Sequence, residues 1–164
     1  PSSINLQPFR ALLVCEPLGL EVVRRAAYGI GACASAPLVI VCMADLEADR
    51  LVAGRVAELT EAGALEPMPQ TPIISGRGRP LTLKLGREMA LVNAAVATEH
   101  LVLQAQHLGL GTCWVHHFEH DEVREHFGIP PHLELLTLLA VGTPAQRPAA
   151  RPRVGSVQWT PPGK

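Results

Sequence analysis

The stretch that decides the fold is residues 93–118, NAAVATEHLVLQAQHLGLGTCWVHHF. Its first part predicts a helix that is apolar on nearly every face, and such a helix belongs in the middle of a core or of a subunit interface. The helix is expected to end at the Leu-Gly-Leu-Gly motif, where Gly109 can take a positive φ without steric cost. The Thr-Cys-Trp-Val that follows reads as a turn on a rigid support, so its backbone groups are well placed to contact a ligand.

The composition limits the class of protein. The chain has 164 residues, of which 48% are hydrophobic, so it can bury the core of one domain and is not disordered. Fourteen Lys and Arg against 15 Asp and Glu give a net charge of −1, so no global field draws the protein to nucleic acid or membrane. The longest apolar run, residues 36–44, is too short to span a bilayer, and we see no signal peptide. We expect a single domain, residues 1–164, in the cytoplasm.

The pattern of cysteines is consistent with a cytoplasmic protein. They form no CxxC pair, and a disulfide framework is not expected in a chain of this size without a secretory signal. Three of the four lie in apolar segments, where a reduced, buried thiol behaves as a small hydrophobic group. The four are Cys15, Cys33, Cys42 and Cys113.

The rest of the chain predicts alternating strands and helices. Apolar, β-branched runs indicate strands, and amphipathic segments bounded by glycine or proline indicate helices. The predicted strands are residues 9–15, 37–43 and 133–141, of which 9–15 reads as buried and 37–43 as central. The predicted helices are residues 18–28, 46–61, 93–108 and 121–127, with Asp45 as the cap of the second. Together they give one α+β domain.

Two segments fit no regular element. Residues 63–84 are interrupted by glycine and proline throughout, and connections this long in a compact domain are usually functional lids or mobile segments. In this connection Arg77 or Arg79 could contact the phosphate of a nicotinamide nucleotide, although a solvated loop is the commoner outcome. From Gly142 onward a tail rich in proline and arginine cannot form its own core, so we expect it to lie along another surface.

Polar residues in the first loop and the tail could bind a ligand. Ser2, Ser3, Asn5 and Gln7 fall within seven residues, and their hydroxyls and amides can read a heterocycle with alternating N–H and C=O groups, such as the pyrimidine edge of a flavin. A capped surface turn is the commoner outcome for that composition. The pair in Arg151-Pro-Arg153 can hold a phosphate, although solvated arginines are again more common. The Gly-Leu-Gly motif at residue 109 follows a helix and lacks a third glycine, so it is not a dinucleotide fingerprint.

Taken together, these pieces closely resemble one family, the nitroreductase-like FMN-dependent oxidoreductases. The matching motifs, in order, are PSSxNxQPF, ATEHLVLQAQHLGLGTCWV, the FGIP stop, VGTP and RPR, and LGLGTCWV is the most specific of them. The resemblance covers almost the whole chain. It implies a mixed β-sheet flanked by helices, built as an intertwined homodimer around the long apolar helix, with two FMN sites at the subunit interface.

The resemblance also implies roles for individual residues. The first loop would line the flavin held mainly by the other subunit, through Pro1, Ser2, Ser3, Asn5 and Gln7. The segment after the glycine turn would run beside the isoalloxazine, with a backbone N–H near His116 or His117 facing N5, and comprises Cys113, Trp114, Val115, His116 and His117. Arg151 and Arg153 match the pair that binds the FMN phosphate, and residues 143–164 would pack on the partner subunit.

The chain departs from the family pattern in three places. Family members usually begin with a helix whose arginines also grip the phosphate and the ribityl chain, and residue 1 of this sequence corresponds to a position after that helix. If those arginines are absent, we expect FMN affinity to fall by orders of magnitude. Phe9 stands where tryptophan is common. His116 and His117 stand where many relatives carry smaller residues, which would narrow or polarise the pocket.

The implied activity is that of an FMN-dependent NAD(P)H oxidoreductase. Hydride from NADH or NADPH would reach flavin N5, and the flavin would then reduce a small acceptor, a nitroaromatic or a quinone, in ping-pong order. No side chain is expected to be catalytic. Two alternatives stay open: a specialised relative acting on flavin or halogenated aromatics, and a non-catalytic flavin-binding homodimer.

A rival hypothesis is a zinc site. Sulfur and imidazole ligands crowd into one short span, comprising Cys113, His116, His117, Glu119, His120 and His126. Their spacing fits no standard finger, and no second CxxC or HxxxH closes a site. We therefore favour polar histidines flanking a helix and expect no bound metal.

Overall fold

The fold is seen in a computed structural model that describes residues 2, 5–64, 86–146, 148–149 and 151–152. The strands are β1 (Phe9–Val14), β2 (Leu38–Asp45), β3 (Gly111–Val115) and β4 (Leu133–Gly142). The helices are α1 (Pro17–Ala26), α2 (Gly31–Ser35), α3 (Val52–Glu61), α4 (Arg87–His107) and α5 (His120–Phe127), with a short 3-10 helix at Ala48–Leu51. Almost all of the predicted connection at 63–84 lies outside the described residues.

The four strands form one sheet in the order β1-β2-β4-β3, and every described pairing is antiparallel. The resemblance implied a mixed sheet, so this part of the expectation is wrong for the described residues. The prediction that β2 is central is confirmed. The prediction that the first strand is buried is wrong, because β1 lies at the sheet edge and the Leu13 side chain is 63% exposed. The segment predicted as a turn after Gly109 is in fact β3, at the other edge.

The sheet is covered by helices on both faces. In β2, Val39 and Val41 face a core formed with α1, α2 and α5, whereas Ile40 and Cys42 face the side of α4. This alternation is what a period of two residues requires of a strand covered on both sides. Burial of these apolar side chains, at about 25 cal/mol per Å² of apolar surface, is the main force holding the layers together.

Helix α4 lies on one face of the sheet, and the described residues do not enclose it. Its buried residues are small or polar: Ala90, Asn93, Ala94 and Thr98. The opposite face exposes Met89, Val92 and Leu103. Among the described residues α4 therefore does not take the expected place in the middle of a core, and a place at a subunit interface stays a prediction.

The end of α4 follows the sequence prediction. Gly109 has φ +77°, its N–H donates to the Gln106 carbonyl at 3.0 Å, and the Leu110 N–H donates to the Ala105 carbonyl at 2.9 Å. These two bonds satisfy carbonyls that the helix itself leaves free, which is the Schellman arrangement. The turn sets the direction in which β3 leaves the helix.

We predict that Gly109→Ala destabilises the fold by about 1–2 kcal/mol, because an L-residue at this positive φ is strained. The matched control is Gly54→Ala in α3, where nothing lies within 4 Å of the added methyl group. At that position, in the first turn of α3, alanine should instead stabilise by up to about 1 kcal/mol. Urea unfolding of both variants measures the difference, and equal effects would contradict the strain argument.

Asp45 does not cap a helix, contrary to the prediction. Its Oδ1 accepts a hydrogen bond from the Glu47 N–H at 3.0 Å, and its Oδ2 pairs with Arg10. The predicted helix at 46–61 is divided into a 3-10 turn and α3, whose first turn has no side-chain cap. Asp45 therefore closes a turn at the end of β2 and anchors the edge strand β1.

All four cysteines are free thiols. Two of them, not three, are buried: Cys33 and Cys42. Burial raises the pKa of each of these thiols to about 11, so they stay protonated at neutral pH.

Neither the 21-residue α4 nor any other described helix has the length and hydropathy needed to cross a bilayer.

Candidate functional site

A cleft of about 410 Å³ opens beside the first loop of the chain. Its volume falls within the roughly 300–1,000 Å³ of typical small-molecule sites. Polar loop side chains, the start of β1 and one face of α4 line it: Ser2, Asn5, Gln7, Pro8, Phe9, Arg10, Asn93 and Ala97. Three of the residues predicted from sequence to read a heterocycle therefore share one cavity.

Hydrogen bonds within the loop fix how its amides face the cleft. The Gln7 N–H donates to the Ser2 hydroxyl oxygen at 2.8 Å, and the Gln7 side-chain Nε2 donates to Asn5 Oδ1 at 2.7 Å. Asn5 and Gln7 both have positive φ, at 52° and 49°, which folds the loop back on itself. The bonded pair of amides leaves one acceptor, Gln7 Oε1, and one donor, Asn5 Nδ2, for a ligand.

Arg10 anchors this loop to the sheet. Its Nη1 donates to the Gln7 carbonyl at 2.8 Å, and its Nη2 donates to Asp45 Oδ2 at 2.7 Å. The Asp45 side chain is largely buried and Arg10 is half-buried, so the bond is shielded more than a surface ion pair. Arg10 was not predicted from the sequence, because its partner is set by the register that pairs Phe9 with Ala44.

A second polar feature lies at the end of β3. The Val115 carbonyl accepts a hydrogen bond from the buried Thr137 hydroxyl of β4 at 3.0 Å. The same planar, trans peptide group carries the His116 N–H on its opposite side. That N–H therefore points away from β4, out of the edge of the described sheet, and no described residue accepts a hydrogen bond from it.

Aromatic side chains surround this edge. The Tyr28 ring stacks on the His117 ring with centroids 5.3 Å apart, and its hydroxyl donates to Glu119, which raises the Tyr28 pKa. Tyr28 has φ +54°, an uncommon conformation for a bulky residue. Tyr28 was not predicted from the sequence, in which its only signal is its position before Gly29 at a helix end.

The histidines of this region contact different groups. His116 Nδ1 lies 2.9 Å from the Leu136 carbonyl oxygen, and His120 stacks on Phe118 with centroids 4.2 Å apart. Burial lowers the pKa of His120, and the charges of His116 and Arg124 lower it further. In the part of the chain that the structure describes, no three His, Cys, Asp or Glu side chains are grouped closely enough to hold a metal ion. The six residues of the zinc hypothesis do not assemble into a site.

Comparison with known proteins decides the family. Residues 1–143 match the nitroreductase family. The chain belongs to that family. An NADH dehydrogenase of Thermus thermophilus is 30% identical over 148 residues, an alignment that covers 89% of this chain and 71% of the relative.

Solved structures share the nitroreductase fold. A nitroreductase-type protein of Bacillus subtilis superposes with a TM-score of 0.78 at 19% identity, covering 98% of this chain and 81% of that one. Another, from Exiguobacterium sibiricum and solved in complex with FMN, superposes with a TM-score of 0.77 at 21% identity, covering 98% and 80%. At these identities the likeness concerns the fold.

In this nitroreductase-family chain, the predicted site residues fall into three groups. The cleft gathers Ser2, Asn5 and Gln7. The segment from Cys113 to His117 does not line that cleft; it forms β3 and the residues after it, with Cys113 and Trp114 exposed. Arg151 lies exposed on the tail. The remaining predicted residues lie outside the described part of the chain: Pro1, Ser3 and Arg153.

Proposed function

We propose that this nitroreductase-family protein is an FMN-dependent NAD(P)H oxidoreductase that works as a homodimer. The observation that carries the proposal is the cleft lined by Asn5 and Gln7, whose hydrogen-bonded amides leave Gln7 Oε1 as an acceptor and Asn5 Nδ2 as a donor. This acceptor and this donor match the N–H and C=O groups along the pyrimidine edge of a flavin. The Exiguobacterium relative with bound FMN and the Thermus NADH dehydrogenase support this choice of cofactor and donor.

The edge of the sheet supplies a complementary contact. We assign the His116 N–H, which points out of that edge, to flavin N5. When bound, FMN supplies the redox chemistry, taking hydride from NADH or NADPH and reducing a small acceptor such as a nitroaromatic or quinone. The chain's own task is to orient the ring with backbone and amide groups, so no side chain need serve as nucleophile or base. Arg151 and Arg153 would bind the phosphate by charge-assisted hydrogen bonds.

Two copies of the chain account for the separation of these groups. The cleft near residues 2–10 and the edge at residues 113–117 are distinct in one chain, and a site shared between subunits joins them. The exposed apolar face of α4, with Met89, Val92 and Leu103, supplies surface for burial in such a dimer. The tail from residue 143 would pack on the partner in the same assembly.

Reconstitution tests the proposal. The purified protein is mixed with FMN, freed of excess by gel filtration, and titrated anaerobically with NADH and with NADPH while flavin absorbance is followed. We expect stoichiometric flavin that bleaches with at least one nicotinamide and recovers when a quinone or nitroaromatic is added. Flavin that binds but is not reduced by either nicotinamide would support the non-catalytic alternative, and protein that retains no flavin would contradict the proposal.

A further inference from the structure

The sheet is irregular at one place, next to the His116 peptide group. Between β2 and β4 the pairing passes from Cys42 with Thr137 to Met43 with Leu135, so Leu136 is an extra residue with no partner on β2. On the other side of β4, the pairing with β3 stops at Val115 and Leu138. Such bulges are often found beside functional sites, where they redirect a group. The Leu136 carbonyl is thereby available to a side chain.

His116 uses that carbonyl. Its Nδ1 lies 2.9 Å from the Leu136 oxygen, and since a carbonyl oxygen only accepts, Nδ1 must carry the hydrogen. This bond ties the His116 side chain to β4 just beyond the end of β3.

Thr137 holds the same peptide group from its other side. Its hydroxyl is fully buried and donates to the Val115 carbonyl at 3.0 Å, with the Leu138 carbonyl farther away at 3.3 Å. Thr137 holds the carbonyl oxygen of the Val115–His116 peptide. The Leu136 carbonyl holds the side chain of His116, the residue that carries the N–H of the same peptide. Leu136 and Thr137, two neighbouring residues at the bulge, thus restrain both halves of one peptide group.

We propose that Thr137 and His116 are positioning residues, which through the bulge at Leu136 keep the His116 N–H aimed out of the sheet edge toward the bound cofactor. This inference rests on the proposed function for the identity of the cofactor. An N–H aimed at N5 stabilises oxidised flavin, in which N5 accepts, more than reduced flavin, in which N5 carries hydrogen. Loosening the peptide group should therefore weaken binding of the oxidised cofactor selectively.

The test measures the midpoint potential of bound FMN in Thr137→Val, which replaces the hydroxyl with a methyl group of similar size. We expect oxidised FMN to bind about threefold to tenfold more weakly relative to reduced FMN, which corresponds to a rise of roughly 15–30 mV for a two-electron couple. Thr137→Ser, which retains a hydroxyl, should restore the wild-type potential. A Thr137→Val potential equal to that of the wild-type protein would overturn the proposal.

The matched control is Thr98→Val in α4. Thr98 is also fully buried, and its hydroxyl also donates to a carbonyl, that of Ala94 at 2.9 Å. Both variants should lose similar stability, but only Thr137→Val should shift the potential. An equal shift of the midpoint potential in both variants would mean that Thr137 has only a general structural role. A wild-type protein that binds no FMN would instead contradict the proposed function.

The His116 side chain is tested in the same way. His116→Asn keeps an N–H donor near the position of Nδ1, whereas His116→Leu removes it. In the asparagine variant, we expect the ratio of the affinities for oxidised and reduced FMN to stay within about twofold of the wild-type ratio. In the leucine variant, we expect the midpoint potential to shift as it does in Thr137→Val. If both variants shift equally, the bond to the Leu136 carbonyl has no positioning role.

Discussion

The double variant Asn5→Ala/Gln7→Ala is expected to bind FMN about 30- to 150-fold more weakly than the wild-type protein. Each substitution removes one ligand-facing hydrogen-bonding group, Asn5 Nδ2 or Gln7 Oε1, and together they abolish the 2.7 Å bond that sets the two amides side by side. Loss of two such bonds with their preorganisation amounts to about 2–3 kcal/mol. Both positions also have positive φ, and at position 5 alanine tolerates this conformation less well than asparagine does.

Quenching of flavin fluorescence during titration of the apoprotein measures this affinity. The control is Gln104→Ala, which removes an exposed amide side chain from α4 and should leave FMN affinity unchanged. Urea unfolding of the apoprotein shows whether the double variant is still folded. A loss of affinity below about threefold in a folded double variant would remove these amides from the cofactor site.

A second large effect is expected in the core, where Leu138→Ala should lower the free energy of unfolding by about 2–5 kcal/mol. Leu138 is fully buried in β4, one of the two inner strands, and packs in the core shared with α1 and α5. Removing its side chain leaves a cavity that the two flanking strands cannot close without moving. A domain of this size has about 5–15 kcal/mol of stability, so the variant should unfold at much lower urea concentration.

The control for the core variant is Leu18→Ala in α1, where the leucine side chain is 67% exposed. This change should alter stability by less than about 0.5 kcal/mol. Both are measured by urea unfolding at one fixed protein concentration, since dimerisation would make the result concentration-dependent. Equal effects of the two substitutions would contradict the assignment of Leu138 to the core.

The sequence predicts those elements whose signal is local. The strands β2 and β4 are apolar runs long enough to identify, and the end of α4 is marked by Gly109. The strand β3 was missed, because five residues with exposed Cys113 and Trp114 become a strand only by pairing with β4. Exposure of Leu13 on β1 depends on its place at the sheet edge, which no local pattern encodes.

The residue types of the candidate site were predictable from the sequence, whereas the contacts that depend on the fold were not. The residue types of the first loop indicate ligand binding, and the structure gathers Ser2, Asn5 and Gln7 in one cleft. Arg10 was not predictable, because its bond to Asp45 joins residues 35 positions apart. The direction of the His116 N–H likewise depends on Thr137, which contacts Val115 only once the sheet has formed.

The central claim, that each FMN lies between two copies of the chain, is tested most directly by mixing two defective variants. One variant is Asn5→Ala/Gln7→Ala, and the other is Arg151→Ala/Arg153→Ala. If each site takes its amides from one copy and its phosphate-binding arginines from the other, every mixed dimer regains one intact site. In an equimolar mixture that assembles at random, about a quarter of all sites should then have wild-type FMN affinity, whereas dimers of either variant alone have no such site. Mixtures with no tight sites would contradict the claim.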